Sequence, residues 1–155
     1  MTTVENPTPL LESWHEYFRQ PSPERLSAML ADDVVFVSPV VHTPQEGRQK
    51  TMAYLWSAAA VFGSGPFEYL NEWTAGDPGG EGSAVLEFRS EIDGIQIHGV
   101  DMIWWNAEQR ITRFQVMVRP LKAIQLLHGM MARQLQQLAE AQTAASTSAG
   151  SPPGS

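Results

Sequence analysis

The sequence predicts an α+β fold, with helices packed against one face of an antiparallel sheet. Three observations predict it. Apolar residues recur at helical spacing from Leu10 to Phe62, the period changes to two between Phe67 and Arg119, and helical spacing returns after Pro120.

Leu10, Leu11, Trp14, Tyr17 and Phe18 form the apolar face of a first helix, which Pro21-Ser22-Pro23 interrupts. Ser22 is placed to cap a second helix and Pro23 to take its first position, where the missing N–H costs nothing; Leu26, Met29 and Leu30 are its buried side. Val34-Val35-Phe36-Val37 is short, β-branched and closed by Ser38-Pro39, which makes it a strand, and Asp32-Asp33 read as caps of the turn before it. A loop through His42, Pro44 and Gly47 leads to a third helix over residues 48–62, free of Gly and Pro, with Met52, Leu55, Trp56 and Ala59 on one stripe. Four strands follow at about 67–75, 83–92, 95–105 and 110–119, separated by Asp77-Pro78-Gly79-Gly80, Asp93-Gly94 and Asn106-Ala107-Glu108-Gln109. Asp93-Gly94 is the sharpest of these turn signals. A two-residue type I′ hairpin needs positive φ at both positions, which Asp-Gly tolerates, so this turn sets the register of the middle hairpin. Leu121, Ile124, Leu127, Met131, Leu135 and Leu138 then continue at helical spacing to about Gln142.

A length of 155 residues suits one domain, assigned to residues 1–142 with a C-terminal helix at about 121–142. Residues 143–155 contain only Thr, Ala, Ser, Gly and Pro and read as a disordered tail. Hydrophobic residues make up 43% of the chain, enough for a real core. The formal net charge of -7 lacks the basic footprint that nucleic acid or an anionic membrane surface requires, so neither is an expected partner. Without cysteine, and with His15, His42, His98 and His128 showing no ligand spacing, no metal and no cofactor are expected. The N-terminal stretch has no basic region leading into an apolar run, and no stretch of about 18 apolar residues occurs, so the expected compartment is the cytoplasm. Met117, Met130 and Met131, with the amphipathic last helix, point to a helix docked on the domain or on a second copy, and a homodimer is expected.

The chemistry concentrates in one strand. Alternation along Ile95–Trp105 puts Ile95, Ile97, Gly99, Asp101, Ile103 and Trp105 on one face, with Asp101 the single charge in the row. Burial among such neighbours raises a carboxyl pKa and leaves a neutral hydrogen-bond donor, a candidate for acid–base work. The alternative for Asp101 is a partly exposed acid paired with Arg113 or Arg119. His42, in a Pro-flanked loop that could rim a pocket, is a further catalytic candidate. Trp14, Tyr17, Tyr54 and Trp56 are either plain core or pocket wall, and Ile103 and Trp105 extend the same apolar lining. His98 lies on the opposite face as a packing residue, and Glu87, Arg89 and Glu91 read as a solvated or interface-facing row, with a catalytic Arg–carboxylate pair as the minor alternative.

The element order, with LADDVVFVSP, the EGR opening the third helix and GVDMIWWNAEQRI, resembles the nuclear-transport-factor-2-like superfamily over about Leu10 to Arg119. Within it the similarity is to bacterial ketosteroid-isomerase-like and SnoaL-like, polyketide-cyclase-like, proteins. The resemblance implies a cone-shaped α+β domain, an apolar pocket between helices and curved sheet, and often a dimer through the sheet. In ketosteroid isomerases a loop Asp shuttles the proton while a Tyr and a protonated Asp donate hydrogen bonds to the dienolate oxygen. By motif, Asp101 matches the protonated donor, Ser38 stands at the base position and Trp14 at the Tyr position. A serine without an adjacent base cannot shuttle a proton between carbons, so genuine steroid isomerisation is not expected. Limonene-epoxide-hydrolase-like relatives use an Arg-x-Asp, echoed by Arg89-Ser90-Glu91, and a last-strand acid that has no counterpart here. The implied function is binding of a small hydrophobic carbonyl- or hydroxyl-bearing molecule, with isomerase- or cyclase-like acid–base chemistry if the protein is an enzyme. The alternatives are a non-catalytic ligand-binding or dimerisation module and, behind it, an epoxide hydrolase.

Overall fold

The computed structural model describes residues 8–77 and 79–149. In chain order these form α1 (Pro9–Arg19), α2 (Pro23–Met29), β1 (Leu30–Val37), β2 (Gln45–Glu46), α3 (Arg48–Phe62), β3 (Phe67–Gly76), β4 (Gly82–Ile92), β5 (Ile95–Trp105), β6 (Ile111–Arg119) and α4 (Leu121–Ala149). The strands make one mixed sheet in the order β2-β1-β6-β5-β4-β3, antiparallel except where β1 runs parallel to β6.

Local signals act as their chemistry dictates. Ser22 accepts the Arg25 N–H at 3.2 Å and caps α2, with Pro23 at its start. Asp93 and Gly94 adopt φ of 51° and 75°, the positive pair that the tight β4–β5 hairpin requires. Differences from the sequence reading lie where long-range pairing intervenes. β1 begins at Leu30 rather than Val34, because Leu30 and Ala31 are buried and Leu30 pairs with Ile111. Asp32 and Asp33 therefore sit inside the strand, at a break in its register with β6, and do not cap a turn; Asp32 pairs instead with Arg48 at 2.7 Å. Arg48 also donates to the Leu30 carbonyl at 2.8 Å, tying the start of α3 to the start of β1. Helix α4 continues past Gln142 to Ala149, through part of the expected tail. Residues 143–149 contain no Gly or Pro, and the Thr143 hydroxyl donates back to the Ala139 carbonyl at 2.9 Å, so the chain has no reason to leave the helix before Gly150. Residues 150–155, the rest of that tail, lie outside the described residues.

Helices α1, α2 and α3 cover the concave face of the sheet, and two hydrophobic clusters fill the space between. The larger joins α1 and α2 to β1, β4, β5 and β6 through Trp14, Tyr17, Leu26, Leu86, Ile103 and Phe114. The smaller lies under α4 and is built on Phe88, Ile92, Ile97, Ala123 and Leu127. Gly99 belongs to the inner row of β5, where its missing side chain leaves room for the Phe88 ring. A methyl group there would meet the Met117 carbonyl oxygen and come within 2.7 Å of Phe88 Cζ. Since a paired strand cannot yield, Gly99→Ala is expected to lower the unfolding free energy by about 1–3 kcal/mol in urea denaturation.

Candidate functional site

Asp101 occupies the inner row of β5 with Ile97, Gly99, Ile103 and Trp105, all buried; only 7% of its own surface remains exposed. Neither arginine proposed as its partner reaches it. Arg113 bonds Gln115 and lies over the Trp104 ring, and Arg119 faces His98. The partner is a tyrosine from β3: Tyr69 donates its hydroxyl to Asp101 Oδ2 at 2.7 Å and accepts the Trp14 indole N–H at 3.1 Å. Burial pushes the Asp101 carboxyl from 3.8 up to about 7, against the Tyr69 hydrogen bond, which favours the charged form. Burial also pushes the Tyr69 hydroxyl well above its usual range, and the Asp101 charge adds to that. The Tyr69 ring is held by Phe18 and Phe67 and, edge-on, by His15, which in turn bonds Glu72 at 2.7 Å.

Two adjacent chambers lie between helices and sheet. The inner one, about 50 Å³, is walled by Asp101, Trp14, Tyr17, Phe88 and Phe114 among others, and has room for one functional group rather than a whole molecule. The Tyr17 hydroxyl at this chamber is buried without a hydrogen-bond partner among the described residues, and burial pushes its pKa up to about 12. The outer chamber, about 230 Å³, lies beneath α4 and shares Phe36, Ala58, Phe62 and Val116 with the inner one. Its walls are overwhelmingly apolar, the character of a small-molecule site.

The fold matches that of a steroid delta-isomerase from Pseudomonas aeruginosa with a TM-score of 0.78 and 30% identity, over 90% of this chain and 98% of that one. The chain belongs to the nuclear-transport-factor-2-like superfamily. Two further structures are similar. A protein with a cystatin-like fold from Silicibacter pomeroyi aligns at 26% identity and TM-score 0.75, over 88% of this chain and 92% of that one. A nuclear-transport-factor-2-like protein from Mesorhizobium loti shares the fold at 22% identity and TM-score 0.59, over 72% of this chain and 89% of that one. No family model matches the chain, and no curated protein matches it.

On this superfamily scaffold the residues singled out from sequence separate into groups. Trp14 and Tyr17 join Asp101 at the inner chamber, while Ser38 and Tyr54 line the outer one. His42 is exposed and lines neither chamber; it borders a more open groove that shares the Ser38–Val41 loop with the outer chamber. Trp56, Ile103 and Trp105 line neither chamber. Trp56 packs half-buried against the main core, Ile103 is fully buried within it, and Trp105 donates its indole N–H to the Gly80 carbonyl at 3.2 Å. On the outer sheet face, Glu87 bonds His98 at 2.7 Å and Asn71 at 2.8 Å, and Arg89 bonds Glu68 at 2.9 Å. The bonds from Asn71 and, after it, His98 hold the Glu87 carboxyl below its usual range. Arg89 and Glu91 point outward and border neither chamber, which removes the residue pattern behind the epoxide-hydrolase alternative. Among the described residues no three His, Asp or Glu side chains cluster as metal ligands, and no helix is long and apolar enough to cross a membrane.

Sequence reasoning missed Tyr69 and His128. Tyr69 shares the parity of Phe67 in β3 and pairs with Phe88, itself opposite Gly99, so the strand register points it toward the Asp101 row. His128 follows Leu127 on α4 and faces the outer chamber only because that helix folds back across α3 and β6.

Proposed function

We propose that this protein binds a small apolar molecule through a carbonyl or hydroxyl oxygen placed at Asp101, with the apolar body in the chamber beneath α4. The observation that carries this reading is the relay from Trp14 through Tyr69 to Asp101. In the neutral form of the acid, every donor in the relay points one way. The indole N–H bonds the Tyr69 oxygen, the Tyr69 hydroxyl bonds Oδ2, and a proton on Oδ1, which has no partner among the described residues, is free for the ligand. Successive bonds of this kind polarise one another and strengthen the last donor. Such a site stabilises an enol- or enolate-like oxygen.

It supplies no obvious acceptor for a carbon-bound proton. The Ser38 oxygen, at the base position of the isomerases, accepts the N–H groups of Val40 at 2.9 Å and Val41 at 3.1 Å. His42 lies outside both chambers. The reading is therefore a ligand-binding protein of isomerase- or cyclase-like architecture rather than a steroid isomerase. Titration with apolar phenols and enones, followed by tryptophan fluorescence, tests it, because Trp14 stands at the inner chamber. Saturable quenching is expected in the wild type and its loss in Asp101→Leu; equal binding by both proteins would remove Asp101 from the site.

Pairing of two copies through the outer sheet face belongs to the same reading. Trp73 and Met117 are 56% and 51% exposed on that face, large apolar side chains that a partner would cover. Met117→Glu is expected to turn a dimer into a monomer in sedimentation experiments, and an unchanged mass would exclude this face.

A further inference from the structure

The outer chamber carries three polar side chains that the Asp101 site does not use. Ser38 from the loop after β1, Tyr54 from α3 and His128 from α4 stand on its otherwise apolar wall. Both lone pairs of the Ser38 oxygen are engaged by the Val40 and Val41 N–H groups, so this hydroxyl has only its hydrogen left to give. The Tyr54 hydroxyl and the His128 ring have no hydrogen-bond partner among the described residues, Tyr54 half-buried and His128 exposed at the rim. None of the residues lining the chamber is Asp or Glu. The polar part of this cavity is thus rich in donors and holds no anion of its own.

An acceptor with negative charge fits that complement. The chamber has no Arg or Lys in its wall, so a phosphate dianion would stay uncompensated, whereas a single carboxylate needs only a few donors and one imidazole near water. We propose that the outer chamber binds the carboxylate of an apolar carboxylic acid through Ser38, Tyr54 and His128, at the solvent end of the cavity. The inference builds on the Asp101 reading, since the chambers share a wall and one molecule would span them. The ligand class becomes an apolar keto or hydroxy acid, its carboxylate at the α4 rim and its second oxygen directed inward to Asp101.

Calorimetric titration of the full chain with four related compounds separates the two ends. Benzoylpropionate carries ketone and carboxylate, benzoylpropionamide has the acid neutralised, butyrophenone lacks the acid, and phenylbutyrate lacks the ketone. Benzoylpropionate is expected to bind at least about tenfold tighter than its amide, as charge-assisted bonds exceed neutral ones. Tyr54→Phe combined with His128→Gln, both conservative at half-buried or exposed positions, is expected to erase that preference. Equal affinity for acid and amide, or a preference that survives in the double variant, overturns the carboxylate site. Asp101-dependent binding of butyrophenone alongside such a result would leave the inner reading standing. Binding of phenylbutyrate that depends on Tyr54 and His128, with butyrophenone indifferent to Asp101→Leu, would do the reverse. Absence of binding by all four compounds overturns both.

Discussion

Asp101→Asn is expected to remove a stability change of about 4 kcal/mol that the wild type undergoes between acid and neutral pH. Asp101 titrates near 3.8 in the unfolded chain and at about 7 in the folded one. Between these values the folded protein holds a proton that the unfolded chain has released. The stabilising contribution is therefore complete below the lower value, is lost as pH rises, and is gone above the upper one. A displacement from 3.8 to about 7 is equivalent to about 4 kcal/mol. Asn keeps an oxygen for the Tyr69 hydroxyl and cannot ionise, so its own profile lacks this slope. Urea unfolding of both proteins from about pH 4 to about pH 8 would show the wild type losing ground steadily against the variant. A constant difference across that range would mean that Asp101 ionises as freely as a surface acid, and the neutral-donor chemistry at the inner chamber would fall with it.

Tyr69→Phe is expected to cost about 2–4 kcal/mol, because it strips one buried group of its acceptor and another of its donor. The Trp14 N–H loses the oxygen it bonds at 3.1 Å, and Asp101 Oδ2 loses its donor at 2.7 Å. The second loss has a direction in pH. The Tyr69 bond favours the ionised carboxyl, so its removal raises the Asp101 titration above the wild-type value of about 7. The penalty should therefore be larger at about pH 8, where the wild type carries the charge, than at about pH 5, where both proteins hold a neutral acid. Carbon-detected nuclear magnetic resonance of the Asp101 carboxyl gives the titration directly, and an unchanged or lowered midpoint in Tyr69→Phe would show that the two groups are not bonded in solution.

These variants also separate what could be read from the sequence from what could not. The Asp101 row was legible because strand alternation is strict and the Asp93-Gly94 turn leaves the β4–β5 register no freedom: eleven residue pairs run without a slip from Gly82↔Trp105 to Ile92↔Ile95. Burial of Asp101 was one of two readings of that row, the other being a partly exposed acid paired with Arg113 or Arg119. The identity of its partner could not be read, since Arg113 and Arg119 lie on the neighbouring strand and Tyr69 reaches Asp101 from two strands away. The parity of Tyr69 with Phe67 sets the side it faces, but which residue it meets there depends on how β3 pairs with β4 and β4 with β5. The pocket walls were only partly legible for a related reason. Trp14, Trp56 and Trp105 are all large and apolar, yet Trp14 borders the inner chamber, Trp56 packs on the core and Trp105 anchors to the Gly80 carbonyl.

By itself the sequence determined the α+β class, the helix starts, the hairpin register and the face on which Asp101 lies, because each is set by residues close together in the chain. Tertiary structure alone decided the parallel pairing of β1 with β6, the Trp14–Tyr69–Asp101 relay and the division of the interior into a tight chamber at the acid and a wider one under α4. Each of these depends on which distant elements meet. Non-local contacts are selected by the closing of the whole core, and the short-range periodicities that shape its parts carry no record of them.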